Sequence, residues 1–197
     1  MKVLSEKKYE AAWNSFWKRV QEVGLDTYLD EETLKEQLRK ASGAISEDSG
    51  VAYPGGLITH INITMAFAEK LFNIVSTEPF DTLKVDWTSL VRVILLMHLS
   101  KIEMYIPNDN SWEIEKRGFN FKFAELEGKL KFGERSILFA NNNGIKLTAE
   151  EFEAIRCIDK KSEGTGSEMF DSKLSLIVRQ ANELAYAFEK ERNKTTK

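Results

Sequence analysis

The chain has two histidines, His60 and His98, and one cysteine, Cys157. Imidazole is the side chain best suited to moving a proton near neutral pH or to ligating a transition metal, so these few residues bound the available chemistry. His98 closes an apolar run, Leu95-Leu96-Met97-His98-Leu99-Ser100-Lys101. Its neighbour Leu99 offers no lone pair, whereas a divalent cation needs imidazole, carboxylate or similar donors. A Ser-His-Asp relay would need a histidine as base, and both histidines are claimed by the motifs described below. Cys157 follows Arg156 with no third histidine to activate it, and is expected to be a small buried residue. Gly164-Thr165-Gly166-Ser167 lacks the Gly-Lys-Ser/Thr ending of a phosphate loop, and no apolar strand precedes it.

The elements that must position these residues are mostly helical by pattern. Residues 5–23 place Tyr9, Ala12, Trp13, Phe16, Trp17, Val20 and Val23 at intervals of three and four, an amphipathic helix ended by Gly24. Asp30 is the N-cap of a second helix to about residue 41. Residues 42–56 form a loop broken by Pro54-Gly55-Gly56. A helix over about 57–76 carries His60 near its start. Asp86 caps a helix to about residue 100, apolar almost all round and therefore central to its domain. Residues 105–123 alternate aromatic and polar side chains about Lys116-Arg117-Gly118. They predict a β-hairpin burying one face of Trp112, Phe119, Phe121 and Phe123, with nucleotide stacking as the functional alternative. Short helices over 133–141 and 148–159 follow, the second opened by the capping box Thr148-Ala149-Glu150-Glu151. Residues 160–170 read as a loop, 172–192 as the last helix and 193–197 as a frayed tail.

Composition narrows the classes. The 197 residues are 42% hydrophobic and 30% charged, enough for one domain with a sizeable core. That domain divides into an N-terminal helical extension, 1–50, and a core, 53–192. Lys and Arg number 28 against 31 Asp and Glu, a net charge of −3, so no cationic field favours extended nucleic acid. No segment nears the roughly 20 apolar residues of a membrane span, and the charged N-terminus has no apolar signal core. The single cysteine fits a reducing compartment, so a cytoplasmic protein is expected. The Trp13, Phe16 and Trp17 face either packs on the domain or meets a partner, a second copy of the chain included.

Several segments, taken in order, resemble one another's counterparts in a known family. They are Tyr53-Pro54-Gly55-Gly56-Leu57-Ile58-Thr59-His60; His98-Leu99-Ser100-Lys101-Ile102-Glu103-Met104-Tyr105; Phe132-Gly133-Glu134-Arg135-Ser136; Glu150-Glu151-Phe152-Glu153-Ala154-Ile155-Arg156-Cys157-Ile158; and Arg179-Gln180-Ala181-Asn182. Over about residues 53–186 the chain resembles the HD-domain metal-dependent phosphohydrolases, in particular small bacterial and phage HD proteins related to the HD part of exoribonucleases. The resemblance implies an all-α, HD-domain-like helical bundle with a small β-hairpin insertion at about 105–123.

What the resemblance implies about chemistry is mostly loss. It puts the metal ligands of active relatives at His60, His98, Leu99 and Asn182, so both carboxylates are replaced. Further family histidines fall at Phe132, Ile158 and Arg179. A hydrolytic metal needs a charged cage and an open position for substrate, and two neutral imidazoles with an amide supply little of that. Lys101, Arg135 and Arg179 are vestigial cations of the site. Lys101 either contacts phosphate or complements a helix C-terminus, and the arginines either form an anion pocket with it or pair with Glu134 and Glu183. The expectation is a degenerate HD-domain protein without cofactor, binding an unidentified protein or nucleotide. The alternative is a divergent phosphohydrolase of nucleotides or phosphodiesters, its divalent metal held by His60, His98 and Asn182, with Glu103 or water assisting.

Overall fold

The computed structural model describes residues 4–126, 128–159 and 172–195. The loop at 160–170, with Gly164-Thr165-Gly166-Ser167, lies outside them. Helices account for most of the described residues: α1 (Glu6–Glu22), α2 (Glu31–Lys40), α3 (Gly56–Val75), α4 (Trp87–Leu99), α5 (Ser111–Arg117), α6 (Phe132–Asn142), α7 (Ala149–Arg156) and α8 (Lys173–Lys194). Two strands, β1 (Tyr105–Pro107) and β2 (Phe121–Phe123), pair antiparallel with Tyr105 opposite Phe123. Among the described residues no helix is long and apolar enough to cross a membrane.

α4 is the central helix. Its N-terminus is held by Asp86, whose carboxylate accepts from the Ser89 amide at 2.7 Å, and every residue from Leu90 to Leu99 except Arg92 is buried. A helix without a polar face must be surrounded, and α1, α3, α6, α7 and α8 all pack against it. Arg92, the exception, reaches the buried carboxylate of Glu151 at 2.7 Å and the Lys146 carbonyl at 2.8 Å. The most extensive helix pair is α3 with α8. The aromatic face of α1 is covered within the chain: Tyr9, Trp13, Phe16 and Val20 join the same continuous core as Leu57, Leu95 and Val178. The helices of residues 1–50 are thus part of one core, with no separate packing of their own.

Two motif glycines serve close packing. Gly56 opens α3 against the loop before it, and a Cβ there would fall on the Val51 carbonyl. Gly133, in the first turn of α6, lies against the backbone of α7, where a Cβ would meet the Ile155 carbonyl. Both positions admit only hydrogen because backbone crosses backbone.

The antiparallel hairpin expected at 105–123 is present, but the chain between its strands and the placement of its aromatics differ from expectation. Only its two ends are strands, and the intervening chain forms α5. The Asn110 side chain accepts from the amides of Trp112 and Glu113 at 3.1 and 3.3 Å, a helix cap. Gly118, at φ 63°, ends the helix. Local capping wins over the two-residue alternation of Trp112 and Ile114. The four aromatics do not share a buried face: Phe121 is buried, Phe119 is half-buried, and Trp112 and Phe123 are 60% and 62% exposed. At the other end of the chain α8 continues through Asn193 and Lys194, two residues expected to be frayed. The Asn193 amide donates to the Glu47 carbonyl at 2.9 Å.

The Gly56→Ala variant is expected to lose about 1–3 kcal/mol of stability, because the added methyl overpacks a backbone that cannot retreat. Urea denaturation of the variant beside the parent chain checks it.

Candidate functional site

Three helices bring the polar residues of the interior together. His60 sits one turn into α3, after the tight Gly55-Gly56 entry. His98 is the penultimate residue of α4. α8 contributes Asn182, Tyr186 and Glu189, spaced by four and three residues and so aligned along one face. Lys101 stands in the turn after α4, fixed by its amide bond to the His98 carbonyl at 2.9 Å.

His60 is fully buried and gripped on both ring nitrogens. Nδ1 lies 2.9 and 3.0 Å from the two carboxylate oxygens of Glu189, itself buried. Nε2 lies 3.2 Å from Oδ1 of Asn182. With its proton on Nδ1 the ring donates to Glu189, and Nε2 is then an acceptor. Turning the Asn182 amide end for end satisfies it, and that orientation is assigned by such networks and is not visible in heavy atoms. The His98 ring stands edge-on to His60, centroids 4.7 Å apart and planes at 87°, and the Tyr186 ring lies 4.3 Å from His60 on another side.

His98 is the anomaly. It is fully buried, and among the described residues neither ring nitrogen has a hydrogen-bond partner. Burial holds its pKa well below the usual imidazole value, with the nearby charge of Lys101 and then His60 acting in the same direction. Lys101 is itself only 4% exposed. Its ammonium donates to the Tyr186 hydroxyl at 3.1 Å and lies 4.4 Å from the centre of the Phe132 ring, a cation–π contact. Burial, reinforced by the Glu189 carboxylate, pushes the Tyr186 phenol up to about 12, so it stays a neutral hydroxyl.

The structure therefore gathers His60, His98, Asn182 and Lys101, with the Phe132 ring beneath the lysine. Leu99 and Glu103 instead line a neighbouring cleft on another side of the end of α4, and Arg135 lines it too. Arg135 donates to the Gly128 carbonyl at 2.9 Å and does not join Lys101 in a shared anion pocket. Glu134 caps α6 by accepting from the Lys131 amide at 2.7 Å, so it is not the partner expected for Arg135. Arg179 is half-buried on α8, three residues before Asn182, and Ile158 packs against the core. Cys157 is buried and free.

Glu189 escaped the sequence reading, although a signal existed. Leu174, Val178, Ala181, Ala185 and Glu189 continue one buried stripe along α8. A carboxylate on the apolar stripe of a helix must have an interior partner.

The donors that could hold a metal are Nε2 of His60, a nitrogen of His98 and Oδ1 of Asn182. The Glu189 carboxylate behind His60 is the arrangement that orients a ligating imidazole in metal centres. Among the described residues no group of three or more His, Cys, Asp or Glu side chains is arranged to hold an ion. Comparison of the chain with protein-family models, curated proteins and solved structures finds no match.

Two outcomes are expected. Glu189→Ala strands the buried Nδ1 of His60 and lowers unfolding free energy by about 3 kcal/mol or more, measurable by urea denaturation. His98 binds its proton more readily unfolded, near pH 6.5, than folded, so its contribution weakens stability as pH falls below that value. His98→Leu removes two unpartnered nitrogens along with this titration, and its stability is expected to fall less than the parent's between pH about 7.5 and about 5.

Proposed function

We propose that this chain is a catalytically degenerate protein on an HD-type scaffold, a binding or regulatory protein and not a working hydrolase. One observation carries the reading most. Both nitrogens of His60 are engaged by side chains of the protein, Glu189 and Asn182, so the imidazole is built into the fold. The residue opposite Nε2 is an amide where a metal cage would want negative charge. The position after His98 is a leucine. Trp112 on α5 and Phe123 on β2 are large exposed aromatics, a residue type enriched where partners meet.

The second reading is a divergent metal-dependent phosphohydrolase acting on nucleotides or phosphodiesters. The unpartnered nitrogens of His98 favour it, since buried polar atoms without partners in a native fold call for a missing water or ion. His60, His98 and Asn182 would hold the metal, which would activate a water for attack on phosphorus, and Lys101 would contact the phosphate.

Elemental analysis of protein purified without chelator separates the two, together with hydrolysis of bis(p-nitrophenyl) phosphate in the presence of Mn2+ or Ni2+. The expected result is substoichiometric metal and no turnover. Stoichiometric metal, or turnover abolished by His98→Ala, overturns the first reading. Asn182→Asp, which sets a carboxylate against Nε2 of His60, is expected to gain Mn2+ affinity, whereas Leu99→Asp, in the neighbouring cleft, is expected to add none.

A further inference from the structure

A cleft of about 420 Å3 opens between the start of α2, the end of α4 and α6. Its volume falls in the range of small-molecule sites. Leu34, Leu99 and Phe139 make an apolar lining, and the edge carries Gln37, Glu103, Asn142 and Arg135. Apolar walls with a few convergent polar groups are the usual composition of such sites.

The charge of the cleft has a sign. The residues that cap the C-termini of α4 and α6, Ser100 and Asn143, both line it. A helix C-terminus is the negative end of its dipole, weakened here because the last carbonyls accept from amides of the following turns, His98 and Leu99 from Lys101 and Ile102, and Phe139, Ala140 and Asn141 from Asn143, Ile145 and Gly144. The positive N-terminus of α2 also lines it, but Asp30 already answers that end, its carboxylate accepting from the Thr33 amide at 2.9 Å. Arg135, the one cation among the described residues of the lining, donates to the Gly128 carbonyl. Glu103 lines the cleft as a carboxylate with no hydrogen bond or ion pair to a described residue. The lining thus favours a cation with an apolar body.

We propose that this cleft binds an organic ammonium ion, its apolar body against Leu34, Leu99 and Phe139 and its charged nitrogen at Glu103. The site lies apart from the histidine cluster, so it stands or falls independently of the function proposed above.

The test compares tryptamine with its neutral counterpart tryptophol and with indole-3-acetate, by calorimetry and by NMR shift mapping on the full chain. Tryptamine is expected to bind more tightly than tryptophol, and indole-3-acetate most weakly, with shifts centred on Leu99 and Phe139. Glu103→Gln, an exposed substitution that leaves the fold intact, is expected to weaken tryptamine about tenfold and leave tryptophol unchanged, the loss of one charge-assisted hydrogen bond. Leu138→Trp, which fills the cleft from its exposed wall, is expected to weaken both. Equal binding of the three probes, no saturable tryptamine binding, or tryptamine binding indifferent to both variants overturns the proposal.

Discussion

Glu189 lies with both carboxylate oxygens about one hydrogen bond from Nδ1 of His60, in a setting almost without water. A carboxylate leaves solvent at a penalty of several kcal/mol unless its oxygens are satisfied inside. That requirement ties α8 to α3 at one register, because only one placement of the helices sets position 189 opposite position 60. The apolar contacts along the pair are tolerant of small slides, as packing of methyl groups generally is. The polar contact is not. It also fixes the imidazole plane, which decides what Nε2 meets and how the His98 ring can lie beside it.

Around this pair the interior polar groups divide by how fully they are answered. His60 is answered on both sides, and Lys101 has a hydroxyl and an aromatic face. His98 is answered on neither nitrogen. The same low-dielectric surroundings that make the Glu189 contact strong make the His98 omission expensive. A site in which one imidazole is locked and its neighbour is left open is the physical basis for weighing a built-in structural cluster against an ion-binding one.

The end of α4 separates two environments within two residues. His98 meets His60 of α3, whereas Leu99 lines the cleft with residues of α2 and α6. Adjacent residues on a helix diverge by about 100°, so a motif that reads as a unit along the chain is divided between two spaces. Glu103 and Arg135 follow Leu99, and Lys101 follows His98. Charges that resembled one vestigial site in sequence are divided between a buried cluster and an open cleft.

Much of this was legible in the sequence. The amphipathic stripe of α1, the Asp30 and Asp86 caps, the all-round apolar α4 and the Thr148 capping box are local signals, set by 3.6-residue periodicity and by backbone amides that need acceptors. They name the helices nearly to the residue. Where local signals competed, as between alternation and capping at 105–123, the pattern found the paired ends of the hairpin and missed the helix between them, because an Asn side chain satisfying two amides outweighs the alternation of Trp112 and Ile114. The grouping of His60, His98 and Asn182 was implied only by the family resemblance, not by any local pattern, and the same implication put Leu99 with them, where it does not lie. The partnership of Glu189 with His60 was decided only by tertiary structure, as were the isolation of His98 and the turning of Leu99 into a separate cleft. Each depends on which helix faces are brought opposite one another, and that follows from the sum of packing and desolvation over the whole core, not from any stretch of residues read along the chain.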